Sequence, residues 1–103
     1  MQLRIVGDQG DRVLRLTGEV DMLAAEELRK AGDLAVAEVA EGSRMVIDLR
    51  EVTFLDSSGL GALVAIRNKA MSRDLGCALR SVPDKVMKVL LIAGLHDVFS
   101  IEP

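Results

Sequence analysis

Apolar and polar residues alternate only in short stretches at the start of the chain. Residues 2–6 and 11–17 are candidates for extended structure, and Gly7-Asp8-Gln9-Gly10 between them has the composition of a turn. The pattern predicts a β-hairpin, and Gly18-Glu19-Val20-Asp21 is predicted to break its second strand.

Three later segments carry apolar residues at helical spacing. The first runs from Leu23 to about Glu41, with Asp21 placed to accept a hydrogen bond at its start and Gly42 closing it. The second follows residues 56–61. The third has Pro83 in its first turn, where proline is tolerated, and ends at Gly94.

Three further strands are predicted between and after the helices. Residues 44–49 contain an apolar run without polar alternation, which suits a central strand buried on both faces, and a short loop that holds residues 52–55 is predicted to follow. Residues 77–81 and 98–101 are the other two strands. The order β-β-α-β-α-β-α-β predicts one α/β domain over residues 1–103, a mixed sheet with three to four helices and right-handed crossovers.

Composition limits the function classes. Only two of the 103 residues are aromatic, which argues against a wide aromatic-lined ligand pocket. The formal net charge of −3 argues against general nucleic-acid binding, which relies on basic surfaces. The longest apolar run, residues 89–95, is too short to span a membrane, and the first residues do not resemble a signal peptide. We therefore expect a cytoplasmic protein without membrane insertion.

Metal and disulfide chemistry find no support in the sequence. The single cysteine, Cys77, has no partner for an internal disulfide and no Cys or His companions at metal-ligand spacing. It is predicted to be a small buried residue. No metal and no cofactor is expected.

The segment Asp56-Ser57-Ser58-Gly59-Leu60-Gly61 places two hydroxyl groups directly before a predicted helix. From the residues alone, two interpretations are equally good. In one, Ser58 caps the helix and the glycines permit tight turning; in the other, a hydroxyl group is functional.

An enzyme is not expected. The segment lacks the glycine that precedes the serine of a G-x-S-x-G elbow, and the only histidine, His96, is predicted to be an ordinary surface or loop residue. Gly59-Leu60-Gly61 is too short to form a phosphate-binding loop.

Residues 47–61 nevertheless resemble the signature of STAS domains, specifically the bacterial anti-sigma-factor antagonists. Residues 16–21 are similar to the family's early "TGELD" stretch, and residues 89–95 with 98–99 resemble its closing helix and strand. The resemblance runs from about Leu3 to Ile101. It implies that Ser57, the first serine after the aspartate, is phosphorylated by a cognate anti-sigma factor that is also a serine kinase.

The resemblance also implies the partners. The unphosphorylated form would bind the anti-sigma factor and free a sigma factor, phosphorylation would prevent binding, and a serine phosphatase would restore it. The residues expected to contact the partner surround Ser57: Asp21, Asp56, Ser58, Gly59, Leu60 and Gly61.

Three points stay open at this stage. Asp56 either hydrogen-bonds locally to shape the loop, which we favour, or presents Ser57 to the kinase. The alternative function is a STAS scaffold or regulatory subunit of a stress-signalling complex or of a membrane (lipid) transporter. Antagonists of this family often carry a further helix after the last strand, whereas this chain stops at Pro103. Apolar surface left exposed without that helix would favour self-association, so both a monomer and a dimer are considered.

Overall fold

The computed structural model describes residues 1–103 and contains five strands and three helices. The strands are β1 (Gln2–Asp8), β2 (Asp11–Val20), β3 (Arg44–Leu55), β4 (Gly76–Arg80) and β5 (Ser100–Glu102). The helices are α1 (Met22–Ala37), α2 (Ser57–Ser72) and α3 (Asp84–Ile92). The predicted order of elements is confirmed.

The strands form one sheet in the order β1-β2-β3-β4-β5. β1 pairs with β2 antiparallel, as a hairpin does, and every later pairing is parallel. Each parallel connection carries one helix, and side chains of all three helices pack with strand residues of one sheet face in a single apolar core, so the helices cover the same face. The predicted mixed sheet is therefore confirmed, with one face covered and one open.

A single apolar core lies between this sheet and the helices. It contains side chains such as Leu14 and Leu16 of β2, Ile47 of β3, Leu63 of α2 and Leu90 of α3. Because successive strand residues point to opposite faces, their neighbours in β2 and β3 point to the open face. α1 and α2 pack closely, since a Cβ built on Gly32 would clash with Cγ1 of Ile66.

The predicted ends of β2 and β3 were wrong. β2 continues through residues 18–20, and β3 continues to Leu55, so residues 52–55 are strand and not loop. The pairing of these strands shifts between Arg15 and Thr17 and again after Gly18, with β3 carrying one extra residue at each shift. Such bulges interrupt the two-residue alternation that reveals a strand. Gly18, at a φ of 93°, supplies the backbone conformation at the second shift.

None of the three helices combines the length and apolar character needed to cross a bilayer.

Candidate functional site

The segment 56–61 lies at the carboxyl end of β3 and forms the first turn of α2. Asp56 caps this helix: the backbone N–H of Gly59 donates a 2.9 Å hydrogen bond to its Oδ1. Ser58 is the second helical residue, so the interpretation of Ser58 as the cap was wrong. The favoured local role of Asp56 is confirmed, and its carboxylate satisfies one of the helix's free donors.

The first turn of α1 lies at the same end of the sheet. The N–H of Ala24 donates a 2.9 Å hydrogen bond to Oδ1 of Asp21, which confirms Asp21 as the predicted N-cap. The two turns are joined through the backbone, because the N–H of Asp56 donates to the carbonyl oxygen of Val20 at 3.4 Å. Two helix N-termini thus open at one edge of the sheet, where parallel α/β folds tend to bind ligands.

The two serines differ in exposure. Ser57 is exposed at the first helical position of α2, whereas Ser58 is partly buried. Ser58 lines a groove between α1 and α2 together with Met22, Glu26 and Arg29. The side chain with free access from solvent is therefore that of Ser57.

Gly59 fixes the height of α2 above the sheet. A Cβ at this position would lie 2.6 Å from Cδ1 of Leu55 and 2.7 Å from the carbonyl oxygen of Val20. Contacts below 3 Å with a backbone atom cannot be relieved by rotating a side chain, so only glycine fits without a shift. At Gly61 the same test meets Nη2 of Arg29 at 3.2 Å, the far end of a flexible side chain.

The predicted contact residues fall into two groups. Asp21 is exposed and Asp56, Ser58 and Gly61 are partly exposed, but Gly59 and Leu60 are buried. Gly59 and the Leu60 side chain therefore support the turn from below.

The elements that meet at this end of the sheet carry three exposed apolar side chains that the sequence analysis does not identify. Met22 is 68% exposed, Leu23 79% and Phe54 49%. Met22 and Leu23 are the first two residues of α1, and Phe54 lies in β3, three residues before Ser57 in the chain. Large exposed apolar side chains grouped around a polar loop are typical of protein-binding surfaces. Thr53 and Phe54 are both exposed at the second bulge of β3, so a two-residue alternation does not describe this end of the strand.

Two other candidate residues lie away from this edge. Cys77 packs partly buried against the core, less enclosed than predicted, and burial raises the pKa of its thiol to about 11. His96 lies between α3 and β5 with Nε2 3.5 Å from the Asp97 carboxylate, which confirms it as a loop residue.

The chain is similar along nearly its whole length to proteins of one family. A family model described as "Mlab, STAS domain" matches residues 3–102. An anti-sigma-B factor antagonist of Listeria monocytogenes is 33% identical over 87 residues, which cover 84% of this chain and 75% of that protein. The chain belongs to the STAS-domain family of anti-sigma-factor antagonists. The resemblance drawn from residues 47–61 is thereby confirmed.

Solved structures agree with this assignment. An anti-sigma factor antagonist from Mycobacterium paratuberculosis is 28% identical, with a TM-score of 0.87 over 99% of this STAS domain and 85% of that chain. SpoIIAA in its unphosphorylated form has a TM-score of 0.80 at 23% identity, over 97% of this chain and 87% of that one. The phosphorylated form of Bacillus SpoIIAA has a TM-score of 0.76 at 21% identity, over 99% of this chain and 91% of that one. At these lower identities the likeness shows a shared fold.

Proposed function

We propose that this STAS domain is an anti-sigma-factor antagonist whose binding of an anti-sigma factor is switched off by phosphorylation of Ser57. The observation that carries the proposal is the placement of Ser57, exposed at the first position of α2 and close in the chain to the exposed Phe54. A modifying enzyme can reach its hydroxyl without unfolding the helix.

The surface around Ser57 suits a protein partner. Met22, Leu23 and Phe54 supply apolar contact area, and the carboxylates of Asp21 and Asp56 are held by the two helix N-termini that they cap. An apolar patch with a polar rim is the usual composition of a specific protein interface. We expect the unphosphorylated surface to bind the anti-sigma factor directly.

Phosphorylation would change this surface more than the fold. A phosphoserine adds about −1.5 to −2 charges at neutral pH. A helix N-terminus favours an anion, because its free N–H groups and its dipole point outward. A partner carboxylate within about 4 Å of the phosphate would cost on the order of 1 to 4 kcal/mol, and ~1.4 kcal/mol already weakens binding tenfold.

Two findings among related proteins support the proposal. The Listeria relative is named as an antagonist of an anti-sigma factor, and SpoIIAA, which shares this fold, has been solved with and without phosphate. We infer that a kinase that is itself the anti-sigma factor adds the phosphate and that a serine phosphatase removes it.

The test uses three variants. The protein is incubated with ATP and candidate anti-sigma kinases, and mass spectrometry locates the phosphate in the wild type, Ser57→Ala and Ser58→Ala. We expect modification of the wild type and Ser58→Ala only. Phosphate on Ser58 alone would refute the site.

Binding is then measured by calorimetry for the wild type, Ser57→Ala and Ser57→Asp, with circular dichroism as the folding control. The expected result is retained binding by Ser57→Ala and at least about tenfold weaker binding by Ser57→Asp. Equal affinities of Ser57→Ala and Ser57→Asp for the anti-sigma factor would refute the proposed switch and favour the alternative of a scaffold or transporter subunit.

A further inference from the structure

The open face of the sheet carries a row of charged residues at one register across all five strands. The pairings run Arg4 to Arg15, Arg15 to Asp48, Asp48 to Arg80, and Arg80 to Glu102. The neighbours of these residues in β2, β3 and β4 belong to the apolar core, so the row lies on the face that no helix covers.

The carboxylates do not neutralise this row evenly. Glu102 accepts two hydrogen bonds from Arg44, at 2.8 and 3.1 Å, and lies 3.5 Å from Nε of Arg80. Asp48 lies 3.9 Å from Nε of Arg15, whose side chain is 54% exposed. The acidic partners are therefore concentrated toward β5.

The opposite end of the row is a pair of like charges. Arg4 stands directly across from Arg15 and forms no ion pair. Arg50, two residues after Asp48 in β3, also forms no ion pair. Like charges in direct cross-strand register destabilise a sheet. A third charge of opposite sign between them would remove this cost.

A cavity of about 490 Å³ lies over these residues. Its lining includes the guanidinium groups of Arg4, Arg15, Arg50 and Arg80 against two carboxylates, those of Asp48 and Glu51. Glu102, 3.5 Å from Nε of Arg80, offsets one of the four positive charges, so the side chains around the cavity keep a smaller positive surplus, although the whole chain has a formal net charge of −3. Guanidinium groups are the side chains best suited to phosphate oxygens.

Two hydroxyl-bearing residues also line the cavity, and the Ser81 hydroxyl donates a 3.4 Å hydrogen bond to the carbonyl oxygen of Pro103, another lining residue. Thr17 and Ser81 both face the cavity, and Ser81 holds a left-handed φ of 54° that non-glycine residues seldom adopt. Residues kept in such conformations are concentrated at ligand sites. Neither Phe54 nor Phe99 lines the cavity, so no aromatic ring is present to stack a nucleobase.

We infer that this cavity is a binding site for a phosphate-bearing anion of two or more negative charges, held between Arg4, Arg15 and Arg50. The ligand is recognised through its phosphate oxygens, either free in solution or as the headgroup of an anionic lipid. The site lies on the open sheet face and does not depend on Ser57.

The test titrates the full-length protein with pyrophosphate and, separately, with vesicles containing cardiolipin, whose headgroup carries two phosphates, and follows backbone amide signals by NMR. The variant Arg4→Gln/Arg50→Gln removes two cations that form no ion pair in the structure. The matched control Lys85→Gln/Lys88→Gln removes two exposed cations from α3. Thermal unfolding of each variant checks the fold.

We expect saturable, salt-sensitive binding in one arm, with shifts centred on β2, β3 and the residues around Ser81. The affinity should fall at least about tenfold in the Arg4/Arg50 variant and stay unchanged in the control. Saturation by pyrophosphate assigns a free anion, and saturation by vesicles alone assigns a lipid headgroup. Binding retained by the Arg4/Arg50 variant, or absent from both arms at millimolar ligand, would overturn the inference.

Discussion

Replacing Gly59 by alanine should destabilise the protein and displace the start of α2. The new methyl group would lie 2.6 Å from Cδ1 of Leu55, 2.7 Å from the carbonyl oxygen of Val20 and 2.9 Å from Cγ1 of Val20. Leu55 and Val20 are buried, and the carbonyl oxygen belongs to the backbone of β2. The helix must therefore move away from the sheet.

The magnitude follows from two opposing effects. Overpacking in a well-packed core costs typically about 1–3 kcal/mol. Alanine gains up to about 1 kcal/mol over glycine within a helix, and less near its first turn. The expected net loss for Gly59→Ala is about 1–2 kcal/mol, which lowers the Tm by roughly 4–15 °C in a domain of this size.

Gly61→Ala is the matched control, two residues further along the same helix. Its methyl group would meet only Nη2 of Arg29 at 3.2 Å, and that side chain can move aside. The helix-forming gain then dominates, so the Tm should stay unchanged or rise by a few degrees. The two variants differ by one methyl group each from the same parent.

Thermal and urea unfolding followed by circular dichroism measure both variants. The rate of Ser57 phosphorylation gives a second readout, since a displaced turn presents the hydroxyl group differently. A Gly59→Ala protein as stable as the wild type, or a Gly61→Ala protein equally destabilised, would refute the close-packing argument.

Three further predictions follow from the caps and the titratable groups. Asp56→Ala should lower stability by about 0.5–2 kcal/mol and Asp56→Asn by less, because the amide oxygen still accepts a hydrogen bond; equal losses would contradict the cap. The hydrogen bonds from Arg44 lower the pKa of Glu102 from 4.5, so the ionised carboxylate stabilises the folded protein. The difference in free energy of unfolding between wild type and Glu102→Gln should therefore be largest near neutral pH and shrink as the pH falls below 4.5. A difference that does not depend on pH would contradict this prediction. Because burial raises the pKa of the Cys77 thiol from 9.0 to about 11, iodoacetamide at pH 8 should alkylate it roughly 100-fold more slowly than in urea; similar rates would contradict its burial.

The order of elements was predictable because each helix keeps one apolar face and each turn has its usual residues. Asp21 was identified as a cap because it stands alone before a clear helical pattern. The cap of α2 was harder, since Asp56 and Ser58 are both good capping residues and lie two positions apart. Only the backbone geometry decides between them.

Features that depend on the register between paired strands could not be predicted from the sequence. The two bulges in β3 break the alternation of residues 50–55, so that Val52 is buried while Thr53 and Phe54 are both exposed. The charged row joins Arg4, Asp48 and Glu102, which are far apart in the chain and meet only through strand register. No local pattern of residues contains that information.

The proposed switch changes the charge of the Ser57 side chain while the backbone at Ser57 stays in place. Gly59 sits against Val20 and Leu55 from below, and the Asp56 carboxylate binds the first turn from its end, so the backbone at Ser57 is held on two sides. A phosphate there would gain from the helix dipole and lose from the nearby Asp56 carboxylate, two small effects of opposite sign. Neither effect is large enough to unfold α2. We therefore infer that phosphorylation acts on the surface offered to the partner, through added charge and hydration beside Phe54, and not through refolding of the domain.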